Sequence, residues 1–185
     1  MIMKKILLIF LILTITIGAV LINCSGEKRK SPADVKNYVA FLDSKSAFPV
    51  FPFGNKPFYM FFNALWCPYS KHMREDIFSR PEIIEYLNEN FTCISIIPDS
   101  VGEVEFLGQT LNKAQIISKF KLEGYPSHYF SSSDGKLIGA RNGVIELLEF
   151  KQVLKYYSEG YYHKYDFKSF TETPEATMDT VYGKF

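Results

Sequence analysis

One stretch constrains the fold of this chain more than any other: Trp66-Cys67-Pro68-Tyr69-Ser70. An aromatic, apolar run, Pro57-Phe58-Tyr59-Met60-Phe61-Phe62, precedes it, and an amphipathic segment from Lys71 to Phe78 follows it. The run, extended to Leu65, has the near-continuous apolar character of a central strand covered on both faces. Proline suits the first turn of a helix, so the chain is predicted to pass from strand to helix at Cys67. A cysteine at such a junction sits beside unpaired backbone N–H groups and the positive end of the helix dipole, which favours thiolate over thiol. The thiolate is the form that attacks disulfides. Three positions on, where a redox pair needs a second cysteine, stands Ser70.

The N-terminus reads as an address. Lys4 and Lys5 precede an uncharged apolar run from Ile6 to Ile22, the pattern of an export signal. The sequence Leu21-Ile22-Asn23-Cys24-Ser25 then resembles a bacterial lipoprotein box, with residues 1–23 removed and Cys24 lipidated as the first mature residue. Asn23 departs from the small residue usual there, and the other reading is an uncleaved signal anchor with an incidental cysteine. Both readings place the domain outside the cytoplasmic membrane and tethered to it. The chain has 21 basic and 20 acidic residues, and losing Lys4 and Lys5 leaves 19 against 20. A near-neutral domain gives no electrostatic case for nucleic-acid binding. Lys28-Arg29-Lys30, beside the anchor, reads as a solvated linker. Of three cysteines, Cys24 is committed to lipid if the box is real. Cys67 and Cys93 are too few for a disulfide scaffold, and no spacing suggests a zinc site.

Along the mature chain, 24–56 is expected to be a linker carrying one helix. That helix opens at Ser31-Pro32-Ala33-Asp34 and runs to about Leu42. Ala47 to Lys56 is a connection. Ser79-Arg80-Pro81-Glu82 reads as a capping box opening a helix through Ile83, Ile84 and Leu87. Phe91 to Ile97 is a second buried strand, and Asp99 to Leu111 has no period and reads as a surface excursion. Asn112 caps a helix bearing Ile116, Ile117 and Phe120. Gly124-Tyr125-Pro126 leads into a strand, Ser127 to Ser131, which Asp134-Gly135 turns into a partner, Lys136 to Ala140. Leu147, Phe150, Leu154 and Tyr157 mark a last helix. Residues 163–185 read as a C-terminal tail, loosely held from Thr171 onward.

This order, with WCPYS at the first strand end and GYPS at the hairpin start, resembles the thioredoxin superfamily over 57–162. The fold implied is an α/β thioredoxin-like one, a central mixed β-sheet flanked by helices. Within the superfamily the chain is most similar to exported thioredoxin-related proteins of the kind found with sulfur-oxidation systems. The runs PEIIEYLNENF, VEFLGQTLNKAQIISKF and GYYHKYDFKSF carry that similarity. The resemblance implies that Cys67 is the attacking cysteine and Trp66 its flanking aromatic, with Pro68 and Tyr69 completing the motif. It also implies that Pro126 is cis, with Tyr125 exposing backbone to an extended substrate. Two departures stand out: Ser70 replaces the resolving cysteine, and Phe61 stands where thioredoxins proper carry a buried carboxylate.

The function expected is thiol–disulfide exchange by one cysteine, at the membrane, without cofactor or metal. Its partners would be exported proteins with thiols or disulfides and an external thiol reductant. The alternatives are a non-catalytic binding module, in which Cys67 is idle, and a structural lipoprotein. Lys71 and His72 are expected to favour the Cys67 anion. Cys93, inside a strand, reads as a buried structural cysteine. His72 and Met73 could suggest a soft metal, but Met73 is better placed in the core. His128 and His163 have no partner identifiable from sequence.

Overall fold

A computed structural model describes residues 38–43, 55–99, 102–106 and 109–177. The chain divides into two units, Met1–Val35 and Lys36–Phe185, and every described residue belongs to the second. The signal, Cys24, the basic cluster and the start of the first predicted helix lie outside the described residues.

The central sheet has five strands: β1 Leu42–Asp43, β2 Phe58–Phe62, β3 Thr92–Ile96, β6 Ser127–Ser131 and β7 Leu137–Asn142, in the order β1-β3-β2-β6-β7. β3 runs parallel to both β1 and β2, whereas β6 is antiparallel to β2 and to β7. The sheet is therefore mixed, with β2 at its centre. All five β2 residues are buried, which explains the unbroken apolar run. Alternation divides them between two cores. Tyr59 and Phe61 face one, with Met73, Ile83, Leu87, Phe150 and Leu154. Phe58, Met60 and Phe62 face the other, with Ile96, Ile116 and Phe120. Fully burying one such side chain contributes roughly 1.5–3 kcal/mol, so β2 anchors both layers.

The helices are α1, an α-turn Pro68–His72 continuing as a π-helix Met73–Ile77; α2 Pro81–Asn90; α3 Lys113–Phe120; α4 Leu147–Ser158; and α5 Phe167–Thr171. The π-turn, closed by Phe78 N–H donating to Met73 O at 2.9 Å, lets both Met73 and Ile77 reach the core. α4 closes on β7 at Gly139, where any Cβ would overlap the Tyr157 hydroxyl.

Several expectations change. The strand predicted to reach Leu65 ends at Phe62, whereas α1 begins at Pro68, directly after Cys67, as expected. The helix expected to reach Leu42 does not: Leu42 and Asp43 pair with Ile94 and Ser95, because the open edge of β3 takes up backbone that local signals assign to a helix. The excursion after Asp99 contains a hairpin, β4 Glu103–Phe106 with β5 Gln109–Asn112, which satisfies its own backbone away from the main sheet. α2 is capped by Arg80 without a side-chain bond, since the Ser79 hydroxyl donates back to Asp76 O at 3.4 Å. The tail is held further than expected. Phe170 and Ala176 are fully buried in the α4-side core, so apolar contacts override its polar composition. By contrast, the capping box at Asn112 forms in full with Gln115.

Candidate active site

The site is built where β2 ends and α1 begins. Asn63, buried just after β2, locks the connecting loop. Its backbone N–H donates to Ile96 O at 2.9 Å, its amide donates to Ser95 Oγ at 3.0 Å, and its carbonyl accepts from Arg74 at 3.1 Å. The chain then turns, and the Cys67 N–H donates to Ala64 O at 3.2 Å. Cys67 is the N-cap of α1 in extended conformation (φ −81°, ψ 119°), and Pro68 fills the first helical position, where a missing N–H is harmless. Cys67 is buried, with 5 % of the residue exposed, and its S–H donates to Tyr125 O at 3.3 Å.

Tyr125 precedes Pro126, and the bond between them is cis. The loop is tied down on both sides. Ser127 Oγ donates to Gly124 O at 2.7 Å, and Gly143 N–H donates to Pro126 O at 2.8 Å. Thus Cys67, Tyr125 and Pro126, far apart in sequence, meet at one point.

Ser70 is fully buried, with its hydroxyl accepting from Ala64 N–H at 3.4 Å. The position three after the thiol therefore ties the first turn of α1 to the loop before it. Phe61 lies beneath, edge-on to Phe78 at 4.9 Å. An apolar ring occupies the place that the resemblance assigns to an acid.

Around the thiol is an exposed apolar collar of Leu65, Trp66 and Tyr69. Trp66 is 72 % exposed yet fixed, since its indole N–H donates to Asp99 Oδ2 at 3.1 Å and its ring meets Tyr125 edge-on at 6.2 Å. Asp99 in turn pairs with Lys113. The Lys113 ammonium and the Trp66 indole hold the Asp99 carboxyl below its ordinary range, and Asp99 holds Lys113 above its own. Lys71 and His72 pair with carboxylates of their own helix: Lys71 with Glu75 at 3.7 Å and His72 with Asp76 at 2.8 Å. The other ring nitrogen of His72, Nε2, lies 3.7 Å from Glu146, ahead of α4. Met73 is wholly buried, away from any soft-metal role with His72. Among the described residues, no group of three or more His, Cys, Asp or Glu side chains is arranged to hold a metal ion.

Cys93 lies within β3 with its S–H directed at Leu87 O, 3.8 Å away, and burial pushes its thiol up. Both Cys67 and Cys93 are free thiols. Sequence reasoning missed four residues around the site. Asn63 and Arg74 had no motif, Asp99 fell in a segment without period, and His128 had no visible partner.

Residues 45–158 match the model of a thioredoxin-like domain, and the chain belongs to that family. Among solved structures it is similar to a thioredoxin-fold protein from Helicobacter pylori, at 20 % identity and a TM-score of 0.64, over 80 % of this chain and 97 % of that one. It is also similar to a candidate disulphide isomerase from Bacteroides thetaiotaomicron, at 18 % identity and a TM-score of 0.51, over 65 % of this chain and 93 % of that one. A DsbH oxidoreductase aligns at 14 % identity and a TM-score of 0.50, over 72 % and 92 % of the two chains. Comparison with curated protein sequences returns no match.

Proposed function

We propose that this protein is an exported, membrane-anchored thiol–disulfide exchange protein that works with Cys67 alone. The observation that carries the proposal is the junction itself: a free thiol at a helix N-cap, 3.3 Å from the carbonyl of the residue before cis-Pro126. The Cys67 thiolate attacks one sulfur of a substrate disulfide, the old S–S bond breaks, and the released thiolate takes a proton from water. Tyr125 and Pro126 offer backbone to an extended substrate, and Trp66 and Tyr69 cover it. Ser70 cannot resolve the mixed disulfide, because a hydroxyl is no nucleophile at this step. Another thiol of the substrate, giving isomerisation, or an external thiol must attack it and return Cys67 as thiolate. Within the family we place the chain with the exported thioredoxin-related proteins found with sulfur-oxidation systems, tethered through Cys24. The two protein structures described as an oxidoreductase and a disulphide isomerase agree with thiol chemistry on this fold.

A second reading, a binding module that captures partners without chemistry, is favoured by the exposed Leu65, Trp66 and Tyr69 around a thiol with little exposure. Trapping separates the two. Wild type should accumulate intermolecular mixed disulfides that vanish in Cys67→Ala. Partner binding that survives Cys67→Ala, with no adducts in wild type, would establish the binding module instead. Labelled fatty acid should enter the wild type and not Cys24→Ser.

A further inference from the structure

Among the described residues, one buried imidazole takes no part in the exchange step yet lies close to its site. His128, in β6 two residues after cis-Pro126, has no exposed surface. Phe61 and Phe150 pack against its ring at 5.5 and 5.9 Å. Its Nε2 is 3.1 Å from Gly143 O, and its Nδ1 is 2.6 Å from the Tyr59 hydroxyl. A carbonyl can only accept, so Nε2 carries the proton, and Nδ1 therefore accepts from Tyr59 O–H. Gly143 is the residue whose N–H donates to Pro126 O at 2.8 Å. The next carbonyl back along the chain, that of Tyr125, faces the Cys67 thiol. One peptide unit away from the site, then, a buried imidazole holds the segment that holds the loop.

We propose that His128 is a positioning residue: through Gly143 it fixes the Tyr125–Pro126 peptide against Cys67, and Tyr59 fixes its tautomer and ring orientation. The proposal rests on the exchange reading. The reason is satisfaction of buried groups. Removing the imidazole leaves Gly143 O and the Tyr59 hydroxyl without their partners in an apolar surround, and the Gly143 segment gains freedom to move. A shift of that segment carries Pro126 O with it, so the backbone presented to an extended substrate loses its alignment, and misalignment near 1 Å is costly to reaction. The thiol itself stays on the other side, held by α1 and its own loop.

The test compares two small reagents with one leaving group. One is dithionitrobenzoate; the other is an extended cysteine peptide whose sulfur carries thionitrobenzoate. In both, Cys67 attacks one sulfur, a new S–S bond forms, and thionitrobenzoate leaves as the thiolate that is measured. Only the peptide pairs with Tyr125 backbone. His128→Leu should lower the peptide rate constant about tenfold and the dithionitrobenzoate rate constant roughly twofold or less. His128→Gln, which keeps an N–H donor near the position of Nε2, should restore most of the peptide rate. A loss of packing alone would slow both reagents together and would not be rescued by His128→Gln. If His128→Leu does not fold, Tyr59→Phe provides the same readout, with a several-fold fall in the ratio of the two rates. An unchanged ratio in folded His128→Leu or Tyr59→Phe overturns the positioning role and leaves the exchange reading standing. A folded wild type inert to both reagents overturns the exchange reading and the positioning role with it.

Discussion

The interior of the sheet and the tip where β2 meets α1 treat ionisable groups in opposite ways. In the interior, burial drives every perturbed group toward its neutral form: the Tyr59 hydroxyl and the Cys93 thiol are pushed up, and His128 is pushed down to about 4. At the tip, an ion pair drives both partners toward charge, Asp99 downward and Lys113 upward. Desolvation dominates the first region, and a hydrogen-bonded opposite charge dominates at the Asp99–Lys113 pair of the second. The contrast matters because the two cysteines differ little in exposure, 5 % for Cys67 and 3 % for Cys93. Place in the backbone separates them. Cys67 sits where a strand has ended and a helix has just begun, and Cys93 sits inside β3, paired with Tyr59 of β2 and followed by the two residues that pair with β1.

The largest effect expected from this contrast is in thiol chemistry. Cys93 can meet a reagent only when β3 opens, and core strands open with free energies near that of global unfolding. A typical 5–15 kcal/mol sets a penalty of about a thousandfold or more. Short exposure of the folded protein to iodoacetamide, followed by peptide mapping, should therefore find label on Cys67 and almost none on Cys93. Equal labelling before unfolding would erase the distinction between tip and interior.

Next in size is the stability carried by His128. Its folded value of about 4 lies below the ordinary histidine value, so the unfolded chain binds the extra proton first as the pH falls. The stability is fully present above about pH 6.5 and is lost progressively toward pH 4, by about 3 kcal/mol in all. Urea unfolding of wild type at several pH values should show this decline, on top of the decline shared with His128→Gln from the carboxylates. Parallel curves for the two proteins would mean that His128 is solvated or protonated in the native state.

How much of this was legible beforehand follows the same division. The junction at Cys67 and Pro68 was readable because local chemistry marks it, a cysteine before a helix-starting proline, whereas the cis bond between Tyr125 and Pro126 was expected only from the resemblance. That β2, β3 and β6 are strands followed from apolar runs with turn signals between them, and the turn Asp134-Gly135 marked the β6–β7 hairpin. What stayed hidden depends on partners distant in sequence. The β1 pairing comes from the free edge of β3, and the burial of Phe170 and Ala176 comes from α4 and its neighbours. Asn63 reaches Ser95, and His128 reaches Tyr59 and Gly143; neither pattern has a period or a spacing to read.

A smaller effect should follow from Ser70→Cys. Residues three apart share a helix face, and their Cα atoms are roughly 5 Å apart, within disulfide range. The Ser70 hydroxyl gives up one long bond, from Ala64 N–H at 3.4 Å, so the loss of stability should be about 1 kcal/mol or less. Mild oxidant should close an internal disulfide with Cys67, seen as a loss of two thiols without dimer formation. The variant should then reduce protein disulfides when supplied with a dithiol. Failure to close would mean that the first turn of α1 does not bring the two positions together.

The smallest effect on stability, and the most pointed test of the tip, concerns Asp99. Its contacts with Lys113 and Trp66 are solvent-exposed, and exposed ion pairs contribute little to folding. Asp99→Leu should therefore unfold at nearly the wild-type temperature, unlike His128→Leu. Its optical signature should nevertheless change, because Trp66 is the sole tryptophan of the chain and loses the acceptor for its indole N–H. Asp99→Asn keeps an oxygen for that bond and loses only the charge, so its emission should stay closer to wild type. Raising the salt should move wild-type emission slightly, since screening weakens the hold of Lys113 on Asp99, and should leave Asp99→Leu unmoved. A fall in melting temperature for Asp99→Leu as large as that for His128→Leu would show that the tip is held as tightly as the core, and the opposition between the two regions would collapse.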